Sequence, residues 1–399
     1  MYITRNKLSK SYKNNVPFIL LVLWLLINIV LFPTTAINGA TKGLSTWFSI
    51  VVPSLFPFFI ISELLINLGF VEFIGSLLEP VMMPIFNVPG IGAFPFTMSL
   101  ISGYPVGVKL VSNLRLNNNI SKVEAERLLS FSSTSGPLFM LGAVSVGMLK
   151  NSSLGPLIVY PHYLASLSLG FLFRYYKKNT NKYNLTLKNN SYSRNNSYSS
   201  IAQLMSNSIK DATNTIISIG GFMILYSVLI EIIYISKFFD LFINFFINIL
   251  PFNISIDVIK GIFAGIIEIT TGCNKIATTN LPSIWKLLII NFFIGWSGLS
   301  IHSQALSFLS ETDINSKLYI CSKFFHGLLS IVYTFLFYKV FYNSLVLESL
   351  VEETFFLKIT SFTQWINLFT LSLQSLFSVL IGIMILAVII NTLKSITKN

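Results

Sequence analysis

Charged side chains are scarce in this sequence: they make up 11% of its 399 residues, where a soluble domain carries roughly 25%. Too little charge is available to keep such a chain dissolved as a monomer in water, which excludes a soluble enzyme or DNA-binding module. Cysteine is rarer still. Cys273 and Cys321 are the only two and both sit inside apolar segments, so neither a disulfide framework nor a Cys-rich zinc site is available. The three histidines, His162, His302 and His326, lack any metal-ligand spacing, and no metal or other cofactor is expected. The sequence has no Gly-x-x-x-x-Gly-Lys-Ser/Thr loop, no Gly-x-Ser-x-Gly elbow and no His-Glu-x-x-His pair. These absences argue against self-powered ATP hydrolysis and membrane hydrolase chemistry, and no catalytic residue is expected.

What is present is apolar length. Hydrophobic residues make up 53% of the chain and aromatics 14%, in runs long enough to supply the about 20 helical residues that cross a hydrocarbon core of about 30 Å. The class expected is an all-α polytopic membrane protein embedded in the lipid bilayer. Crossings are expected at 16–32, 44–68, 128–149, 154–174, 212–236, 285–308, 319–340 and 365–391, about eight transmembrane helices with both termini in the cytoplasm. A cleaved signal is the alternative for the first run. The apolar core of such a signal is normally only about 7 to 15 residues, and Ala36 to Ala40 is a poor cleavage site, so the run is read as a retained helix.

Two apolar stretches contain breaks instead. Residues 90–112 are interrupted by Ser102-Gly103-Tyr104-Pro105-Val106-Gly107, and residues 257–278 by Glu268-Ile269-Thr270-Thr271-Gly272. Such interruptions are tolerated at membrane depth only where the freed backbone is buried in protein or faces a wet cavity. Both are read as re-entrant hairpins, which return to the side they entered. Loop parity then leaves 19 of the 27 Lys and Arg residues in the cytoplasm, including Lys109, Arg115, Lys122, Arg127, Lys317 and Lys323, as the positive-inside rule requires. The net charge of +12 thus reports orientation, and no nucleic-acid partner is expected.

Gly107 and Gly272 lie 165 positions apart, and the pairs Ser135-Gly136 and Ser297-Gly298 lie 162 apart. Pro57-Phe58 falls onto Gly221-Phe222 at nearly the same offset, and Phe171-Leu172-Phe173 onto Phe335-Leu336-Phe337. The collinearity predicts two repeats, 43–176 and 201–342, preceded by an arm and first helix at 1–42, separated by an Asn- and Ser-rich linker at 177–200 and followed by a helix and tail at 343–399. Each repeat holds a span, an amphipathic interfacial segment (72–86 and 238–250), a hairpin and two further spans. Three crossings per repeat is an odd number, so consecutive repeats face opposite ways. That is the inverted-repeat plan of secondary transporters, with a central site made by discontinuous helices.

Broken helices bring unsatisfied N–H groups and positive dipole ends to mid-membrane, where a carboxylate can accept their hydrogen bonds. A small anionic or strongly polar solute is the expected partner. In the first repeat the candidate contacts are Ser102, Gly103, Tyr104, Gly107 and Lys109, followed by Ser133, Thr134, Ser135 and Gly136 in the next helix. The hydroxyls of that run can equally cap broken backbone. In the second repeat Glu268, Thr270, Thr271, Gly272 and Asn274 are candidates, with Ser297, Gly298, His302 and Gln304 in the adjoining span. Glu268 is a buried carboxylate, which suits ion coupling or solute binding. A structural ion pair with Lys109 or Lys275 is the alternative.

Several runs carry a family resemblance. Pro53-Ser54-Leu55-Phe56-Pro57-Phe58-Phe59, Leu78-Glu79-Pro80-Val81-Met82, Ser102 to Gly107, Glu124 to Phe131 and Ser135 to Val144 strongly resemble the sporulation integral membrane protein YlbJ (SpoVV) family of endospore-forming Firmicutes. The likeness is specific in the first repeat and looser in the second. That family contains the Gate, or nucleoside-recognition, domain and is similar in plan to concentrative nucleoside transporters. The resemblance implies movement of dipicolinate, a rigid aromatic dicarboxylate, from the mother cell across the outer forespore membrane toward the spore, with Tyr104 or Trp296 available to stack on its ring. Two other readings stand beside it: a transporter of a nucleoside or another small polar metabolite, and a structural or signalling membrane protein of spore assembly. The coupling ion and the oligomeric state stay open.

Overall fold

The computed structural model of the chain describes residue 16 and residues 19–68, 81–177, 200–249 and 255–352. The N-terminal arm, most of the 72–86 segment, nearly all of the 177–200 linker and the expected helix at 365–391 lie outside the described residues. Every element among the described residues is helical, and the protein is an all-α integral membrane protein.

Helix α1 (Ile19–Leu31) ends where Pro33 opens α2 (Pro33–Thr46), and the chain bends there by 106°. Proline lacks an N–H and sets φ for a first helical turn, so it starts a helix readily and continues one badly. A π-helical turn, Trp47–Val51, joins α2 to α3 (Val52–Asn67). It lies just before Pro53, which leaves the carbonyl one turn earlier without its α-helical partner. The helical run thus opens at Pro33, well before the expected start at residue 44.

After a short helix at 81–86, α4, come α5 (Ala93–Ser102), α6 (Val106–Leu116) and α7 (Lys122–Leu129). A reciprocal capping box starts α7: Glu124 N donates to Ser121 Oγ at 3.3 Å and Ser121 N donates to Glu124 Oε2 at 2.8 Å. The expected crossing at 128–149 is not one rod. The α7 helix stops at Leu129, an irregular strip follows, and a π-helix of 11 residues, Leu138–Met148, resumes. Then comes α8 (Pro156–Phe173).

A parallel order follows in the second half. It comprises α9 (Ile201–Tyr234), the amphipathic α10 (Lys237–Ile249), α11 (Ile256–Ile267), α12 (Ile269–Ala277), α13 (Ser283–Trp296), α14 (Gly298–Leu309) and α15 (Ser316–Glu352). On α10, Phe239 is buried while Leu241 and Phe245 are exposed, as an interfacial helix requires. Among the described residues four helical stretches are long and apolar enough to cross a membrane, or five if the bent α1–α2 pair is one span. The four are 152–173, 201–234, 283–309 and 316–340, and they overlap four of the expected crossings.

Each of the two largest apolar cores draws on both halves. One joins Phe86, Val111, Leu128 and Phe131 to Leu309, Ile314 and Tyr319. The other joins Met140, Val144 and Leu157 to Ile276, Leu287 and Phe293. The α2 helix packs along α9, with Gly39 and Gly43 against the backbone of Val228 and Ile224.

Candidate functional site

The first break is built around Gly103. Its φ of 80° and ψ of −162° fall in a region that is essentially glycine-only. A Cβ there would also lie 2.5 Å from Gly136 N, so the break and the strip after α7 meet backbone to backbone. Gly107 is held as tightly, because a Cβ there would collide with Ser132 O. Neighbouring helices satisfy the irregular strip. Thr134 N donates to Ser99 Oγ at 2.8 Å, Ser135 N to His162 Nε2 at 3.0 Å, and Ser166 Oγ to Phe131 O at 2.8 Å.

The second break is a single extended residue, Glu268, with φ −140° and ψ 118° between α11 and α12. Its carboxylate turns back onto the helix it starts. Thr270 N donates to Oε1 at 2.9 Å and Thr271 N to Oε2 at 2.6 Å. A buried carboxylate is thereby satisfied by N–H groups at a positive helix end. The proposed pairing with Lys275 is not made, since Lys275 lies 3.9 Å from Glu231 and over the Tyr234 ring; Lys109 is exposed. A Cβ at Gly272 would fall on the backbone of Gly265, so α11 and α12 fold together as a tight hairpin. Trp296 Nε1 donates to Ile266 O at 3.0 Å and closes the end of α11.

Both breaks line one cavity, which encloses about 580 Å³ of space between atoms, part of it open to solvent. Of the residues singled out from the sequence, Ser102, Gly103, Tyr104, Ser135, Gly136, Glu268, Thr270 and Gln304 line it. Ser300, Ile301 and Phe139 complete much of the wall. The remaining candidates stand off the wall. Ser133 and Thr134 are buried in the strip behind it, Gly107 and Gly272 sit at helix contacts, and Lys109 and Asn274 are exposed. Thr271 N is engaged by Glu268, Ser297 and Gly298 form the buried break between α13 and α14, and the His302 ring lies 4.4 Å from that of Trp296. Trp296 itself is not in the wall, so of the two aromatic residues named for stacking only Tyr104 faces the cavity.

Sequence reasoning missed Lys323. Counted there as a cytoplasmic charge, it is fully buried within the α15 span. Its ammonium donates to Ser133 O at 2.6 Å, to Tyr104 Oη at 3.0 Å and to His326 Nδ1 at 3.0 Å. Tyr104 Oη in turn donates to Ile294 O at 2.9 Å, a carbonyl that the break at Ser297 leaves without its helical partner. His326 Nε2 faces the carbonyl of His162 at 3.0 Å and must donate to it, which leaves Nδ1 as an acceptor. The signal was available. Tyr319, Lys323, His326, Ser330 and Thr334 recur at three- and four-residue spacing and are all buried, while Phe324, Phe325, Leu328, Val332 and Phe335 are exposed. A polar stripe turned inward on an apolar helix is a membrane helix facing a polar interior.

Residues 48–150 match the family model described as Gate, nucleoside recognition. The chain is also 35% identical over 339 residues to the sporulation integral membrane protein YlbJ of Bacillus subtilis, an alignment covering 81% of this chain and 82% of that protein. The chain belongs to the YlbJ family. The Gate match takes in the first break and the strip from Ser130 to Pro137, whereas the second break and Lys323 lie outside it. No solved structure matches the chain.

Proposed function

We propose that this YlbJ-family protein moves a small anionic solute across a membrane during sporulation, by alternating access around the two broken hairpins of two inverted repeats. Dipicolinate is the cargo of this reading, carried from the mother cell across the outer forespore membrane, with both termini of the chain in the cytoplasm. The observation that carries the proposal is the shared cavity: Gly103 and Glu268, from breaks far apart in sequence, line the same space.

The two breaks offer the solute different surroundings. Glu268 already occupies the N-terminal N–H groups of α12. The start of α6, by contrast, has no side-chain cap. A solute carboxylate therefore belongs at the first break, near Tyr104 and Ser135, and Glu268 is assigned to holding the second hairpin in shape.

Proteoliposomes containing the purified protein test the proposal. Saturable uptake of radiolabelled dipicolinate, displaced by unlabelled dipicolinate and not by nucleosides, is expected. Displacement by nucleosides would shift the cargo to that class, and no flux of either would favour a structural or signalling role. A sporulating deletion strain should retain dipicolinate in the mother cell; normal spore dipicolinate in that strain would contradict the proposal.

A further inference from the structure

Lys323 has a full set of hydrogen bonds and, among the described residues, no counter-ion. Its three acceptors are a phenol, a carbonyl and an imidazole. Among the described residues no carboxylate lies within salt-bridge reach of it, and the ion pairs found involve other lysines and arginines. Buried charges in membrane proteins are paired or border a cavity that can hold the balancing charge. The acidic side chain in the cavity wall, Glu268, has both oxygens committed to its own helix. Two links run from Lys323 to the wall: Tyr104 lines the cavity directly, and Ser133 is two residues from Ser135, which also lines it.

We propose that Lys323 is the residue that selects for an anion in this cavity, and that the carboxylate of the bound solute supplies its missing counter-charge at the Tyr104–Ser135 side. The proposal deepens the transport reading and rests on it. Direct contact is not required, because Coulomb attraction in a water-poor interior acts over several ångströms. The carboxylate also need not displace any present partner. His326 is poised as a neutral acceptor by its bond to the His162 carbonyl, so it holds the ammonium without cancelling its charge. At the corresponding place in the first half, 164 positions earlier, stands Val159. The selecting charge is therefore supplied by one half alone.

Equilibrium binding to the detergent-purified full chain separates the possibilities. The probes are pyridine-2,6-dicarboxylate, its monocarboxylate monoamide and its neutral diamide. In the wild type, affinity should rise with each carboxylate. Lys323→Gln should weaken dicarboxylate binding by about tenfold to a hundredfold, the range expected for losing a unit charge several ångströms away in a water-poor interior, and leave the diamide unchanged. Lys323→Arg should preserve the preference for anions. Wild-type binding of the dicarboxylate with no loss in Lys323→Gln would overturn this inference and leave the transport reading standing. Should Lys323→Gln not fold, the wild-type series decides, because equal affinity for all three probes also overturns it. Binding of none of the probes by the wild type would sink both the site and the inference.

Discussion

His162 and His326, 164 positions apart in the chain, lie ring over ring with centroids 4.4 Å apart and planes 20° from parallel. The separation lies within the offset of 162 to 165 positions expected between two repeats. Ser168 and Tyr333, 165 positions apart, also touch, at 2.7 Å between their hydroxyl oxygens. Both contacts join α8 to α15. The imidazole pair links this packing to the cavity, since His162 accepts from Ser135 and His326 from Lys323.

Replacing His326 with Ala removes an acceptor from Lys323 and a donor from the His162 carbonyl. Both partners are buried, so a loss of about 1–3 kcal/mol is expected. Thermal unfolding in detergent would register it as a lower midpoint, and an unchanged midpoint would mean that the relay carries no stability.

Tyr104→Phe keeps the ring in the wall and deletes the hydroxyl that joins Lys323 to Ile294 O. Uptake should fall at least several-fold, with a stability loss of about 1–3 kcal/mol from the two groups left unpaired. The variant is checked by flux and unfolding on the same preparation; wild-type values for both would show that the hydroxyl is dispensable.

Two glycines give an internal comparison. Gly103→Ala forces a left-handed φ on a residue with a side chain and drives its Cβ onto Gly136 N. It should cost about 1–3 kcal/mol or more and abolish uptake. A Cβ at Gly142 meets nothing within 4 Å, so Gly142→Ala should be neutral or stabilise by up to about 1 kcal/mol. Similar midpoints for the two variants would contradict the backbone contact.

Glu268→Gln retains one acceptor oxygen for the two N–H groups that Glu268 now binds. The NH2 group turned toward the other N–H cannot accept, and a destabilisation of about 1–3 kcal/mol follows. Because Glu268 is assigned to hairpin shape, the variant should lower the unfolding midpoint without changing the pH dependence of uptake. A changed pH profile at unaltered stability would instead make Glu268 a coupling group.

At one end of the molecule Arg115 grips Asp313 through Nε and Nη2, at 2.8 and 3.1 Å. This hydrogen bond holds the Asp313 carboxyl below its ordinary value, the opposing effect of partial burial being smaller. A depressed carboxylate contributes stability above its unfolded pKa of about 3.9 and loses it as pH falls through the lower folded value. The Asp313 side chain is 50% exposed, so the contribution is under about 1 kcal/mol. Asp313→Asn should lower the unfolding midpoint slightly at pH 6 and by less at pH 3; an equal effect at both would exclude the ion pair as its cause.

Much of this architecture was legible in the residues. Gly103 and Glu268 marked breaks because glycine and an isolated carboxylate are costly inside an apolar run without a local reason. What misled was treating lysine position as a topology marker. Lys323 follows Ser316 by one and a half to two helical turns, close enough to a loop to be counted there, and only its alignment with Tyr319, His326 and Ser330 revealed a buried face. The interruption between Leu129 and Leu138 was likewise hidden, because Ser130 to Pro137 is short and the flanking apolar residues read as one span. The role of Glu268 depended on backbone direction, which spacing alone does not give.

The two apolar cores that each borrow from both halves bear on how the chain is made. Phe86, Leu128 and Phe131 leave the ribosome long before Leu309, Ile314 and Tyr319, and Met140 and Leu157 long before Leu287 and Phe293. Neither core can close on the early half alone. The inserted N-terminal segments must wait in lipid, incompletely packed, until synthesis is nearly finished, and a truncated first half expressed by itself is a target for membrane quality control.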